Sequence, residues 1–406
     1  MPWCRPSGAS VLPAVRGVVF ACPHPVGRAC IVYMRVLLML FPWLCLACAG
    51  GASSDGGGDS PMDAPVDSSP VDTAPPTDAS VVGVTTRTWI DSTRGIPANG
   101  DAGARSSRAL VTELWYPALG VAGEPEIRDA SASHVGAPFP LVLFVHGSSG
   151  TRRSSPFLAQ ALAAAGYVVA AADFPLTTIE TPGGPTEFHV DDQVGDLRFI
   201  ADQVAAASAS ASDVLSGLVD ASRYVVVGHS TGGTVALLAA FAPDIHDGRV
   251  AGSVALAPCA CFFGNAFYLT RAMPLLVISG TDDRFVPITT NSERAYGLAG
   301  APKDMVTLVG GNHLYFTQYR ISDDALMPTQ TTSTSPVVSA LVRYGSNPCE
   351  PVPPPISDPL MAFDVQHRHT VEWTVAFVEA ILRGRGAAMV ALRGRSEPDL
   401  RVQHVP

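Results

Sequence analysis

The sequence predicts an α/β fold with a mostly parallel sheet covered by helices on both faces. Three observations carry this. Short apolar runs, such as Leu141-Val142-Leu143-Phe144-Val145, alternate along the chain with longer segments of helical composition. Those runs are continuously apolar, as strands buried on both faces require. The stretch Tyr224–Thr234 (YVVVGHSTGGT) passes from β-branched residues through glycines into Ala236-Leu237-Leu238-Ala239-Ala240, which is a strand, a tight turn and a helix.

The chain has 406 residues, enough for one large α/β domain or two smaller ones. A hydrophobic content of 47% supports a large core. The net charge is −10, only 15% of residues are charged, and no basic stripe is present, which excludes nucleic acid as an expected partner. Five of the eight cysteines, Cys4, Cys22, Cys30, Cys45 and Cys48, precede residue 50.

The N-terminal part reads as export machinery. Residues 1–33 lack periodicity, and Met34 is expected to be the true start. Met34-Arg35 and the apolar run to Ala47 form a signal peptide over 34–47, too short to span a bilayer. Leu46-Ala47-Cys48 reads as a lipobox, with Cys48 carrying the lipid. Residues 48–80 are Gly, Ser, Asp and Pro with almost no large apolar side chain, and read as a disordered tether. The expected location is exported, either lipid-anchored at a bacterial membrane or secreted. That lipid would be the sole membrane attachment.

The folded part should span 81–385. Val81–Ile90 and Arg108–Tyr116 alternate and should pair antiparallel at a sheet edge, with Pro117 ending the second. Leu141–Val145 is a buried strand, and Ser154–Ala165 a helix stopped by Gly166. A strand over Tyr167–Ala172, a long Pro/Gly-rich loop over Phe174–His189 and a helix over Asp191–Ala207 follow. Further strands are Tyr224–Gly228, Val250–Ala257, Leu275–Ser279 and Met305–Val309, with a helix over Thr289–Leu298. An insertion runs over 315–360, Gln366–Leu382 closes the fold as a helix, and 386–406 is a poorly ordered tail.

Such sheets bind ligands at the carboxyl ends of their strands, and reactive groups collect there in this chain. Gly228-His229-Ser230-Thr231-Gly232 lies between strand and helix, the pattern of a nucleophile elbow. Gly280-Thr281-Asp282-Asp283 follows the Leu275–Ser279 strand, and Gly310-Gly311-Asn312-His313 follows Met305–Val309. A serine cannot attack an acyl carbon unaided. His313 would take its proton, and an aspartate would orient His313 and stabilise the imidazolium. Asp283, three residues before Val286, is favoured over Asp282, which is left as a turn or surface carboxylate. The Thr231 and Ser148 backbone N–H groups would meet the oxyanion. His146 is expected to organise the oxyanion turn and His229 to pack beside the serine. His367 and His369 read as surface residues. Asp191 and Asp192 read as helix N-terminal charges. No metal site and no cofactor are expected.

Leu141–Pro175, Gly228–Gly233 (GHSTGG), Gly280–Pro287 (GTDDRFVP) and Gly310–His313 (GGNH) together resemble the α/β-hydrolase superfamily. The chain is most similar to its serine esterases: the platelet-activating-factor acetylhydrolase, cutinase-like polyester hydrolase and predicted dienelactone hydrolase branch. Leu114-Trp115-Tyr116-Pro117 and Gly195–Ile200 resemble that branch too. The resemblance implies an α/β-hydrolase fold with a central sheet of about eight strands. It implies a triad of Ser230, Asp283 and His313 with Ser148 and Thr231 at the oxyanion hole. It further implies a serine carboxylic-ester hydrolase that works without cofactor on a small-molecule ester. Pro258–Pro274 is too short for a helical cap domain, so the cleft should be open and favour short-chain or small exposed esters. Two alternatives share the same residues: a catalytically silent surface-binding lipoprotein, and an amide or peptide hydrolase. Phe174, Leu176, Phe262 and Phe263 could touch an acyl chain or pack in the core. Cys259, Cys261 and Cys349 remain after export, and a Cys261–Cys349 disulfide is marginally preferred over Cys259–Cys349.

Overall fold

The computed structural model describes residues 81–121, 123–323 and 359–406. The signal segment, Cys48, the tether, most of the insertion and Cys349 lie outside the described residues.

A ten-stranded sheet runs through the described chain in the order β10-β9-β8-β7-β6-β4-β5-β2-β1-β3. Its strands are β1 (Val81–Asp91), β2 (Arg108–Ala118), β3 (Ile127–Arg128), β4 (Phe139–Val145), β5 (Val168–Ala172), β6 (Val219–His229), β7 (Val250–Leu256), β8 (Leu275–Gly280), β9 (Lys303–Leu308) and β10 (Leu400–Val405). From β5 to β9 the pairing is parallel. The expected antiparallel pair β1–β2 sits beside β5. The sheet exceeds the expected strand number through β3 and β10.

The continuous apolar strands divide their side chains between two cores, because successive residues point to opposite faces. Leu141, Leu143, Val145 and Val226 enter one core with α2 (Asp192–Ala209) and α3 (Thr231–Phe241). Val142, Phe144, Val225 and Val227 enter the other with α1 (Pro156–Ala164). The second core is completed by Trp373 and Phe377 of the closing helix, Phe363–Arg383. Phe174, Phe262 and Phe263 pack in the first of these cores, and Leu176 is buried.

Two boundaries differ from expectation for physical reasons. β2 continues through Pro117, which faces Val82 of β1. β5 pairs only with Thr112–Trp115, so beyond Trp115 the strand has lost that neighbour, and a residue without N–H is tolerated. The C-terminal tail is ordered. After short helices α4 (Asn265–Tyr268) and α5 (Ser292–Leu298), the closing helix is α6; Gly384 ends it in the left-handed region at φ 68°. Then α7 (Ala387–Arg393) and β10 return the chain to the sheet, where β10 pairs antiparallel with β9. Arg393 grips Asp304 of β9 through Nε and Nη2, both at 2.7 Å.

Between β7 and β8 the chain carries only the four-residue α4, with no cap domain. β4 lies between β5 and β6, so successive connections leave it in opposite directions. That switch point opens a crevice at the carboxyl ends of the strands. Behind it, the buried Arg108 donates to Asp196 of α2 through Nε at 2.7 Å and Nη2 at 2.6 Å, and fixes α2 to the β1–β2 edge.

Candidate active site

The turn from β6 to α3 is built by close approach. A Cβ on Gly228 would lie 2.0 Å from the Gly232 carbonyl oxygen, and a Cβ on Gly232 would lie 2.1 Å from that of Val145. Neither position can hold a side chain. Ser230 between them adopts φ 57°, ψ −124°. A non-glycine residue there stores about 1–3 kcal/mol of strain, held by the Ser230 N–H bond to Leu256 O at 2.9 Å.

The acid and the histidine come from adjacent strands. Gly280 and Gly311 touch where the loops after β8 and β9 cross, since a Cβ on Gly280 would meet the Gly311 carbonyl at 2.1 Å. Asp283 Oδ2 accepts from His313 Nδ1 at 2.7 Å. Its Oδ1 accepts from the N–H groups of Phe285 at 3.0 Å and Val286 at 2.7 Å. An ionised carboxylate only accepts, so Nδ1 carries the proton and Nε2 is the basic nitrogen. Burial pushes the His313 imidazole down, but the Asp283 charge and hydrogen bond outweigh it and hold His313 above its ordinary value. Asp282 is also buried, contrary to a surface reading, because its own N–H donates to Gly311 O at 2.9 Å inside the loop crossing.

Ser230 and the Asp283–His313 pair meet at one place. The His313 ring lies 4.6 Å from that of His229, the residue before the serine. Burial first, then the charges of Glu187 and Asp283, push the Cys259 thiol up, and a Ser230 side-chain contact opposes them. Cys259 thus lies beside Ser230 and within the electrostatic reach of Glu187 and Asp283. No Ser230–His313 hydrogen bond forms among the described residues; such bonds are often long without substrate. His229 is held well below its ordinary value by burial and then by the charge of His313, so it stays neutral.

The turn after β4 abuts Ser230: a Cβ on Gly147 would lie 3.0 Å from Ser230 Cβ. Buried His146 shapes this turn. Its Nε2 accepts from Phe174 N–H at 3.1 Å, so its Nδ1 donates to Gly147 O at 2.7 Å. The N–H groups of Ser148 and Thr231 have no acceptor among the described residues. Thr231 opens α3, where unpaired N–H groups and the helix dipole favour a negative charge.

Sequence reasoning missed three neighbours. Glu187, in the long loop before α2, accepts from Thr231 Oγ1 at 2.8 Å. Cys259 lies against Ser230 and is free, whereas Cys261 is disulfide-bonded to a residue outside the described ones. Fully buried Asp323 receives N–H bonds from both crossing loops. Only the residue types at these positions, two acids and a cysteine, were visible in sequence.

His367 and His369 are not surface residues. His367 stacks on Phe157 with ring centroids 3.5 Å apart. His369 is buried, because the ordered tail covers it, and its Nε2 lies 3.1 Å from Asp399 Oδ2. With Glu397 these side chains could offer three metal ligand atoms within 4.8 Å of one another. Arg368 Nη2, however, already lies 3.3 Å from the same Nε2 and supplies the positive charge.

A family model described as the alpha/beta hydrolase family matches residues 142–356. Cutinase est1 of Thermobifida alba is 29% identical over 171 residues, 42% of this chain and 51% of its own length. Cutinase est2 of the same organism is 29% identical over 170 residues, 41% of this chain and 50% of its own. The chain thus spans about half the length of the curated relatives it matches. A solved ferulic acid esterase from Streptomyces cinnamoneus superposes with a TM-score of 0.54 at 24% identity, covering 81% of this chain and 98% of that one, a likeness of fold.

Proposed function

The chain belongs to the alpha/beta hydrolase family, and from that premise we propose that it is a serine carboxylic-ester hydrolase working through an acyl-enzyme on Ser230. The observation that carries this is the buried Asp283–His313 pair at 2.7 Å beside a strained serine turn. Both named cutinases and the named ferulic acid esterase act on esters by their descriptions, which favours ester over amide substrates.

Each group has one task. Ser230 Oγ attacks the ester carbonyl while its proton passes to His313 Nε2. The carbonyl electrons move onto oxygen, and the Thr231 and Ser148 N–H groups stabilise that oxyanion. Losing one such donor typically costs about 2.7–4 kcal/mol of transition-state stabilisation. As the oxyanion collapses, the alkoxide leaves with the proton from His313, and Ser230 stays acylated. A water then repeats the attack, giving its proton to His313, which returns it to Ser230 Oγ as the acyl–oxygen bond breaks and the acid leaves. Asp283 remains ionised and stabilises the imidazolium in both halves. With only α4 between β7 and β8, the crevice suits short-chain or small exposed esters.

Fluorophosphonate labelling followed by peptide mapping tests this. Ser230 should be the modified residue, and Ser230→Ala should lose activity on a short p-nitrophenyl ester by up to about 10⁶-fold. Folded protein that leaves Ser230 unlabelled would overturn the reading. Among the described residues no helix is long and apolar enough to cross a membrane; Cys48 as a lipid anchor is part of the same proposal, tested by metabolic labelling with a palmitate analogue.

A further inference from the structure

Asp323 lies beyond the histidine loop, at the start of the insertion, and nothing in the triad chemistry requires it. It is nevertheless fully buried. Its Oδ2 accepts from Arg284 N–H at 3.0 Å and from His313 N–H at 3.1 Å, and its Oδ1 accepts from Leu314 N–H at 3.2 Å. Arg284 directly follows the acid Asp283, and His313 is the base. One carboxylate therefore ties the backbone of the acid loop to the backbone of the histidine loop.

We propose that Asp323 is a positioning residue for the reaction read above: its carboxylate sets the Asp283–His313 geometry and adds negative charge behind the imidazole. The inference rests on that reading of the site. A buried carboxylate is costly unless its lone pairs are satisfied, and these three donors all belong to the two loops that carry acid and base. The bond between His313 Nδ1 and Asp283 depends on where the two backbones stand, and Asp323 ties them there in addition to the Asp282 N–H bond to Gly311 O. A misplacement of about 1 Å at such a pair can cost about 100-fold in rate.

The electrostatics agree with the geometry. Burial pushes the Asp323 carboxyl up to about 6, the His313 imidazole draws it down, and Asp283 raises it. Reciprocally, Asp323 is one of the charges that raise His313. Among the described residues the charged groups acting on it are His313 and Asp283; Arg284 reaches it through its backbone N–H, and the Arg284 guanidinium lies 3.8 Å from Asp282. Neutral His229 also packs against the His313 ring, with centroids 4.6 Å apart.

The test uses the full chain with Asp323→Asn and Asp323→Ala, a short p-nitrophenyl ester and pH profiles of kcat/KM. Asp323→Ala should lower kcat by about 10–100-fold with KM within about twofold, because the base and not the substrate is misplaced. Asp323→Asn keeps an acceptor oxygen and should recover part of kcat. Its acidic limb should move to lower pH by about half a unit to one unit, because the charge raising His313 is gone. A purely structural residue would lower Tm without moving that limb. Thermal melts give the folded fraction of each variant, and Asp323→Asn is nearly isosteric should the alanine variant not fold. An active wild type, labelled at Ser230, whose limb does not move in Asp323→Asn would overturn this inference alone. A wild type neither labelled nor active would overturn the ester-hydrolase reading and this inference with it.

Discussion

Two buried histidines in this protein face carboxylates, and they differ in what surrounds the rest of the ring. His313 Nδ1 meets Asp283 at 2.7 Å, and the carboxylate is itself fully buried and fixed by two backbone N–H bonds. His369 Nε2 meets Asp399 at 3.1 Å, but that carboxylate is about a third exposed, and Arg368 shares the same nitrogen. The remaining nitrogen of His369, Nδ1, is buried with no partner among the described residues. That of His313, Nε2, belongs to a ring packed beside the serine turn. A histidine–carboxylate pair is therefore not by itself a catalytic base. It becomes one when the carboxylate is rigid, the pair is desolvated, and the second nitrogen adjoins a nucleophile.

The sharpest way to break this comparison is to change the carboxylates. Asp283→Asn should lower kcat by about 10⁴-fold, since an amide can hold His313 in the wrong tautomer. The adjacent Asp282→Asn should cost far less, because Asp282 does not touch the imidazole. Steady-state kinetics on one ester decides it, and an inverted order would move the acid role to Asp282.

Next in size is the pH dependence. In the proposed mechanism His313 must be neutral to take the serine proton, and its imidazole is held above 6.5 by Asp283 against the effect of burial. The rate should therefore be full above that raised value and fall on acidification, about tenfold per pH unit. The acidic limb of kcat/KM should lie above 6.5. His229, held neutral, should not contribute to it. A limb at or below 6.5 would mean that burial outweighs the Asp283 carboxylate at His313.

How far the sequence revealed this site follows from how local its signals are. Ser230, Asp283 and His313 each follow a strand whose buried run is a local pattern, so their placement at one edge was legible. The tight turn was legible as well, since Gly228 and Gly232 are required by contacts within a few residues of Ser230 and with β4. Asp323 was not, because its meaning lies in backbone donors 39 and 10 residues away. Glu187 was hidden in a Pro/Gly-rich loop, and its partner Thr231 lies 44 residues on. The tail was misjudged because Leu400-Arg401-Val402-Gln403 is short and polar, and becomes a strand only against β9. That same pairing buries His369, which helix periodicity alone left among charged neighbours. Local chemistry could be read from sequence; contacts that join distant loops could not.

The smallest expected effect is on the second histidine. His369→Ala removes a buried ring that joins α6 to the segment between α7 and β10, and leaves Asp399 without its partner. Losing such a hydrogen bond should cost about 1–3 kcal/mol and lower Tm by about 2–8 °C. Activity per folded molecule should stay within about twofold, because His369 contacts neither Ser230 nor the crossing loops at His313. Melting curves and ester kinetics on the same preparation separate the two outcomes. A large fall in kcat at unchanged Tm would show that the two histidine–carboxylate pairs are coupled, through α6, whose Gln366 Oε1 accepts from Asn312 N–H at 2.9 Å just before His313. An unchanged kcat with a lowered Tm would confine catalysis to the pair whose second nitrogen adjoins the nucleophile.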